Sequence, residues 1–428
     1  MDLLKKSPTE FIEFLRSNNI QKFYFVTENN KFVASHTVLQ PIADVLSDLK
    51  ISDDYDQHEG YFAQIGPKSG VLQSAAIHKT FRGPGAGGVR NWVYDNMNDF
   101  FRDGLRLAKG MGHKNALAGI WWGGGKGLAP TDDAKLRQIA YEEYGEFMTS
   151  LHGCYVTAED VGTNVDDMKA IFSKTRHTTC IPTELGGSGN PSIATARGII
   201  KGLEAAFHHW GKSLKGSTIA VQGAGHVGMP VIHFLFEAGV AKVIASDVDA
   251  HRAEAIKKEY TGKNFELHIV DKSDYSILFK DVDAVCPCAT GGILNPTTIP
   301  QIKAKIICGA ANNQLLNMKV DDVLLHNLGK IYVPDFLVNR MGIVNCADEH
   351  MGIIDDDPKL DMHLGKDWGN SIFNLTLQVL KESAATGKTS QAIAVALADQ
   401  RSLEVNPCYG HRSLQIIKWL VKSKEWNQ

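Results

Sequence analysis

The stretch STIAVQGAGHVGMPVIHFLFEAGVAKVIASD, residues 217–247, decides the fold. An apolar strand at 217–222 runs into GAGHVG at 223–228, which has the spacing GxGxxG. A helix expected over 226–238 follows, and then a second strand, 241–247, that ends on Asp247. Alone, such glycines mark only a tight strand-to-helix turn. With strand, glycines, helix and terminal acid in register, they have the chemistry of a dinucleotide site. Gly223 permits the turn. Gly225, followed by His226 and Val227, lets the backbone approach a pyrophosphate at the helix N-terminus, and Gly228 brings the helix close to the strand. Asp247 is placed to accept from a ribose 2′-hydroxyl and to repel a 2′-phosphate, which favours NAD over NADP. Arg252, five residues on, has the opposite preference.

Outward from this stretch, short apolar strands alternate with helices. Helices are expected at 192–209, 249–260 and 317–327, and strands at 283–289, 304–311 and 331–337. That rhythm means parallel pairing with helices on both faces. GGSGNPS at 186–192 reads as a hinge before the first of these helices. Upstream lie an amphipathic helix with Phe11, Phe14 and Leu15, a strand near Phe23–Val26, and an Asp-rich stretch at 53–56. A strand at 71–77, the turn GPGAGG at 83–88 and a helix at 96–110 follow. Then come a strand ALAGIWW at 116–122 leading into GGGKG at 123–127, a helix at 133–151 and a strand at 154–160. The last 80 residues or so read as helices (372–381, 390–403, 413–421) that return to the N-terminal part. The fold class expected is α/β: a discontinuous substrate domain, 1–188 with 348–428, and a Rossmann dinucleotide domain, 189–347.

Length and composition agree. The chain of 428 residues is too long for one ordinary core. With 43% hydrophobic and 22% charged residues and a net charge of -3, it is neither disordered nor a polyanion binder driven by bulk charge, so no nucleic-acid partner is expected. Seven scattered cysteines lack zinc-ligand spacing, so no metal is expected, and they fit reduced thiols in the cytoplasm. Neither a signal peptide nor a run of 18 apolar residues is present, so no membrane association is expected.

Candidate chemistry gathers in the N-terminal half. Lys114 and Lys126 flank ALAGIWW, and Lys126 follows three glycines that let backbone crowd a ligand. A lysine is ordinarily a solvated surface charge. One that is partly buried beside a second cation loses its proton more easily and becomes a general base, while the other stays charged to hold a carboxylate. In TAEDVGT at 157–163, Glu159 and Asp160 stand at a strand end. They read either as a cap for the next helix or, with the lysines nearby, as a proton relay through Asp160.

GPGAGGVR, LRLAKGMGHKNALAG, GGGKG, TAEDVGT, GNPS, GAGHVG, GAANNQL and IVNCADE, running in order from about residue 71 to 350, resemble the glutamate/leucine/phenylalanine/valine dehydrogenases. The resemblance implies a segmented substrate domain beside a Rossmann domain, NAD as cofactor, a homo-oligomer, and reversible oxidative deamination of an amino acid to a 2-oxo acid and ammonia. It implies that Lys114 binds the substrate carboxylate, that Lys126 activates water, and that Asp160 moves protons at the amino nitrogen. Asn312 or Asn313 would lie near the nicotinamide.

In glutamate-specific members, the residue before the Gly-Gly of the glycine turn is a lysine that pairs with the side-chain carboxylate. Here Ala86 precedes Gly87, and Cys346 stands where those members place a serine. A γ-carboxylate left unpaired in such a pocket is costly, so glutamate is disfavoured. Ala86, Ala158, Ile343 and Cys346 make an apolar pocket suited to a branched or aromatic L-amino acid. Trp121 and Trp122 read either as lining for it or as strand core. Two departures stand out: the family's NAGG is Asn339-Arg340-Met341-Gly342, which puts a bulkier loop and an extra cation by the nicotinamide, and the chain carries extra residues before 70 and at 406–413. The competing readings are a glutamate dehydrogenase with an atypical pocket and a nucleotide-binding sensor of the same fold without turnover.

Overall fold

The structure is a computed structural model that describes residues 2–50, 54–131, 133–354, 356–423 and 425–426; Asp53, at the head of the Asp-rich stretch, lies outside them. Two compact units emerge. The first holds residues 1–190, 346–353 and 398–428, and the second 191–345 and 354–397.

The first unit is built on a mixed sheet of β1 (Lys22–Glu28), β2 (Lys31–Ala34), β3 (Gly60–Ile65), β4 (Leu72–Ile77), β5 (Gly85–Ala86), β6 (Val89–Arg90), β7 (Gly123–Leu128) and β8 (Tyr155–Val156). Its order is β2-β1-β3-β4-β7-β5-β8, with β6 also on β7. Strands up to β4 pair antiparallel, whereas β5, β6 and β8 pair parallel. Helix α1 (Pro8–Ser17) starts at a capping box in which Ser7 and Glu10 bond each other's backbone. Its Phe11 joins Phe23, Phe25, Tyr61 and Phe101 in an aromatic core of edge-on and tilted rings. Helix α2 spans Gln40–Leu46.

The longest helix, α3 (Met97–Ala118), is capped by Asn96 and stopped by Gly119 at φ 75°. This corrects the expected strand at 116–122. The helix runs eight residues past its expected end, and the strand is the glycine segment itself. Composition argued against a strand at 123–127, because glycine has no side chain to pack. Here that absence is what the site requires. A Cβ on Gly124 would lie 2.7 Å from Gly112 N of α3, and one on Gly125 would lie 2.5 Å from the Tyr155 ring. Only bare backbone fits between α3 and β8. Helices α4 (Arg137–Ser150) and α5 (Val165–Phe172) complete this part.

The second unit opens with α6 (Ser192–Trp210). It then alternates β9 (Thr218–Gln222), α7 (Gly228–Glu237), β10 (Lys242–Asp247), α8 (Ala250–Glu259), β11 (Phe265–Ile269), β12 (Ala284–Pro287), β13 (Ile306–Ile307), α9 (Asp321–Asn327) and β14 (Ile331–Tyr332). All six strands pair parallel, in the order β11-β10-β9-β12-β13-β14. This is the doubly wound arrangement expected from the sequence, with β11 added. The expected strand at 331–337 stops at Tyr332 and gives way to α10 (Asp335–Val338), and α11 (Met341–Met351) follows two residues later.

The tail divides differently from expectation. Residues 354–397, with α12 (Pro358–Leu364) and α13 (Ile372–Thr386), group with the second unit rather than the first. The apolar face of α13, with Ile372, Leu375 and Val379, is buried, and Phe373 meets His208 of α6. Ser390, which opens α14 (Ser390–Ser402), donates to Tyr332 O (2.6 Å). Residues 398–428 do return to the first unit. Asp399 pairs with His113 (2.8 Å), and beyond α15 (Arg412–Lys422) Trp426 packs on Phe62 and Phe147. No helix among the described residues is long and apolar enough to cross a membrane.

Candidate active site

Strand β7 carries Lys126, held opposite Ala76 of β4 by the ladder and 2% exposed. Its Nζ lies 2.6 Å from Asp160 Oδ1. The structure thus brings together the two residues singled out as catalytic. Asp160 does not cap the following helix: Asn164 caps α5, with Asp167 reaching back to complete a capping box. The turn between them is fixed by Thr163, whose Oγ1 accepts from Asp160 N (2.8 Å). Asp160 is therefore available to Lys126.

Burial is the largest influence on Lys126. It pulls the ammonium down to about 8; the Asp160 carboxylate works the other way, and Arg90 adds to the depression. For Asp160, burial favours the neutral acid, but Lys126 and then Arg90 outweigh it and hold the carboxyl well below the usual range. At neutral pH the pair is a carboxylate beside an ammonium that readily gives up its proton. Glu159, one residue earlier, is pushed up to about 7 by burial and then by Asp167 and Asp160, and its buried Oε2 has no hydrogen-bond partner among the described residues.

Sequence reasoning missed the residues behind this pair. Arg90 of β6 donates from Nε to Asp160 Oδ2 (3.0 Å) and from Nη1 to Asp103 Oδ2 (2.9 Å). Asp103 also accepts from Tyr94 (2.7 Å) and Arg106 (2.8 Å). Asp103 had a readable signal, since it is an acid on the apolar face of α3 between Phe100 and Leu107, where a charge needs a partner. Lys114 sits half-buried near the end of α3. The next residue, Asn115, donates to Gly123 O (2.6 Å), which ties the helix end carrying Lys114 to the start of the strand carrying Lys126.

Ala86 is buried in β5 between β7 and β8. Beyond it Gly87 lies so close to Gly125 O that no side chain fits, and a Cβ on Gly88 would lie 2.7 Å from Asp160 Cβ. Ala158 is buried, and so is Cys346, whose sulfur lies 3.1 Å from that of Cys180. Neither tryptophan stands in a strand: Trp121 is exposed with the Arg82 guanidinium over its ring, and Trp122 is buried beside His350.

In the second unit, the turns after β9, β12 and β13 share the C-terminal edge of a parallel sheet, where such sheets bind ligands. Gly223 has φ +89°, Gly228 packs against Gly223 O, and a Cβ on Gly225 would meet nothing within 4 Å. Among the described residues, open space therefore lies over Gly225, as close approach of a ligand to its backbone would require. His226 is exposed and Val227 half-buried. Asp247 holds the turn, with Oδ2 accepting from Ala224 N (2.7 Å) and Oδ1 from Asp249 N (2.9 Å). A carboxylate has lone pairs beyond these two bonds, so the residues present fit a dinucleotide ribose. Asn312 accepts from Asn339 Nδ2 (2.8 Å), and Asn313 takes a left-handed φ of 53°. Arg340 does not add a free cation here: it is fully buried and donates to Asn370 O. Ile343, on α11, also belongs to this unit.

A parallel dinucleotide sheet in one unit and a buried lysine–carboxylate pair in the other define a nucleotide-dependent oxidoreductase. Two family models match the chain: "Glu/Leu/Phe/Val dehydrogenase, dimerisation domain" over residues 71–177 and "Glutamate/Leucine/Phenylalanine/Valine dehydrogenase" over 186–398. The chain belongs to this family and is an amino-acid dehydrogenase. It is 41% identical over 306 residues to a leucine dehydrogenase of Geobacillus stearothermophilus, which covers 71% of this chain and 81% of the relative. It is 36% identical over 371 residues to a valine dehydrogenase of Streptomyces coelicolor, covering 85% and 97%. The crystal structure of an L-tryptophan dehydrogenase from Nostoc punctiforme superposes with a TM-score of 0.65 at 32% identity, covering 81% of this chain and 96% of the other.

Proposed function

We propose that the chain carries out NAD-dependent, reversible oxidative deamination of an apolar L-amino acid, branched-chain or aromatic, to the 2-oxo acid and ammonia. The observation that carries this reading is the buried Lys126 ammonium 2.6 Å from Asp160, with its proton affinity lowered to about 8. That is the range in which a lysine serves as a general base near neutral pH.

The turn at Gly223, Ala224 and Gly225 would hold NAD, with Asp247 at its ribose and Asn312 and Asn313 toward its nicotinamide end, and the bound cofactor would supply a hydride acceptor. Lys114, as an ammonium, anchors the substrate carboxylate. Lys126, once deprotonated, takes a proton from the water that attacks the imine carbon. Asp160, ionised at the start, takes a proton from the substrate ammonium before hydride leaves the α-carbon and returns it to the nitrogen of the carbinolamine, from which ammonia departs as the hydroxyl gives up its proton and the C=O bond forms. A fixed carboxylate anchor and a preset base lower the barrier through orientation and electrostatics.

The apolar preference rests on Ala86, Ala158, Ile343 and Cys346, which offer no counter-charge for a side-chain carboxylate. The names of the relatives (leucine, valine and tryptophan dehydrogenase) point the same way. The test incubates the purified chain with NAD and each common L-amino acid in turn and follows the absorbance of the reduced nicotinamide. Turnover is expected with leucine, valine or an aromatic substrate, and glutamate alone giving signal would overturn the pocket assignment. Lys126→Ala should lower kcat by on the order of a thousandfold while calorimetry finds NAD affinity unchanged. An equal loss of NAD affinity would refute the assignment of Lys126 as the base.

A further inference from the structure

We propose that Arg90 is a positioning residue for the Lys126–Asp160 pair: it fixes the Asp160 carboxylate from the side away from Lys126 and is itself fixed by Asp103. The inference rests on the reading of Lys126 as base given above.

A carboxylate that touches only a lysine can rotate about its last bond. Asp160 cannot, because each oxygen has its own partner, Oδ1 with Lys126 Nζ (2.6 Å) and Oδ2 with Arg90 Nε (3.0 Å). Arg90 is held at its other end, where Nη1 meets Asp103 Oδ2 at 2.9 Å. Asp103 is in turn clamped on α3 by Tyr94 and Arg106. The result is a line of alternating charge, Lys126, Asp160, Arg90, Asp103 and Arg106, drawn from β7, the turn after β8, β6 and α3. A planar guanidinium with several donors can bridge two carboxylates in this way, whereas a lysine ammonium concentrates its donors at one point.

The same arrangement puts a permanent cation near Lys126. Among the described residues, the other charged or titratable groups recorded against the pair or against Arg90 are Asp103 from α3, Tyr94 before it, Tyr155 from β8 and Glu159 beside Asp160, and none of them is a cation. Removing Arg90 leaves Asp160 with one cation instead of two and lets Lys126 hold its proton more tightly. The pH limb on which deamination rises therefore moves toward alkali, by roughly one pH unit for a unit charge several ångströms away in a partly polarisable interior.

The experiment compares Arg90→Gln, Arg90→Lys and Asp103→Asn with the parent chain over pH 6–10, reading kcat and KM for the amino acid separately. Arg90→Gln should lose on the order of tenfold to a hundredfold in kcat, with KM changed much less and the limb displaced to higher pH. Arg90→Lys keeps the charge but not the fork, so it should keep the limb near its original pH and still lose kcat. Asp103→Asn should give a smaller kcat loss of the same kind. If Arg90→Gln fails to fold, the other two variants carry the decision. Parent-like kcat and limb in folded Arg90 variants would overturn the proposal, and so would a rise confined to KM, which would make Arg90 a substrate contact. If the parent shows no amino-acid-dependent reduction of NAD, the proposed function fails on its own. The proton affinity of Lys126 can then be read directly from the pH dependence of its acetylation by acetic anhydride, located by peptide mass spectrometry. A higher value in Arg90→Gln would support the inference, and an unchanged one would overturn it.

Discussion

Two glycine-rich segments of this molecule use the same residue for opposite ends. In β7, residues 123–128, every position is buried, and a side chain on Gly124 or Gly125 would run into the backbone of α3 or the ring of Tyr155. In the turn at 223–228, Gly225 faces open space. Glycine in the first segment lets protein approach protein, with Lys126 set in the seam. In the second it leaves the backbone uncovered for a ligand. The first arrangement explains why Lys126 is desolvated, as the proposed base has to be, and the second leaves the room that the proposed nucleotide needs.

The comparison breaks most readily at Gly124. An added methyl there has backbone on its near side, Gly112 N at 2.7 Å and Cα at 2.9 Å, and backbone cannot swing away as a side chain can. Gly124→Ala should destabilise the first unit by about 3 kcal/mol, the upper part of the range for overpacking a filled core, and should lower activity with it. Denaturant unfolding measures this. A variant as stable as the parent would show that β7 and α3 are not in such close contact.

The two segments also differed in how much of them the sequence disclosed. The turn at 223–228 is a local device: its strand, glycines, helix and Asp247 all lie within some thirty residues, so their register is visible in one dimension. The site around Lys126 is assembled from β6, β7, α3 and the turn after β8, and only its tertiary pairing shows that Arg90 belongs to it. Lys126 and Asp160 were legible as residue types in glycine-rich and strand-end settings. The strand status of 123–128 was not, because intrinsic preference counts glycine against a strand while the close approach of α3 and Tyr155 demands it. Residues 354–397 were misassigned for a related reason: an apolar helix face such as that of α13 states that it is buried but not against what.

A smaller effect is expected at Gly225. Its missing Cβ has no neighbour, so Gly225→Ala should leave the unfolding midpoint within experimental error of the parent. On the proposed placement of NAD, binding is where the methyl acts, because the backbone there would come close to the pyrophosphate. Calorimetry with NAD should show a loss of about tenfold in affinity, or about 1.4 kcal/mol. Unchanged affinity with unchanged stability would remove Gly225 from the cofactor site and leave the turn as a purely structural feature.

The effect that is smallest at any one pH step concerns the seam around Lys126 and appears as a slope. An ordinary lysine keeps its proton to about 10.5, whereas Lys126 in the folded chain releases it at about 8, chiefly because it is buried. Between these values the unfolded chain binds the proton and the folded chain does not. Stability from this group therefore rises with pH across that window, is flat below about 8, and cannot exceed about 1.4 kcal/mol per pH unit for a single proton. Replacing Lys126 with Met removes the group. The stability of the parent minus that of Lys126→Met should then climb from pH 8 to pH 10, and most other titrations cancel in the subtraction. Asp160 loses its partner in this variant but is already ionised far below the window, so it shifts the difference without tilting it. A difference that stays level over this range would mean that Lys126 is no more desolvated than a surface lysine. The tight packing of β7 would then serve the architecture of the first unit rather than the acidity of its lysine.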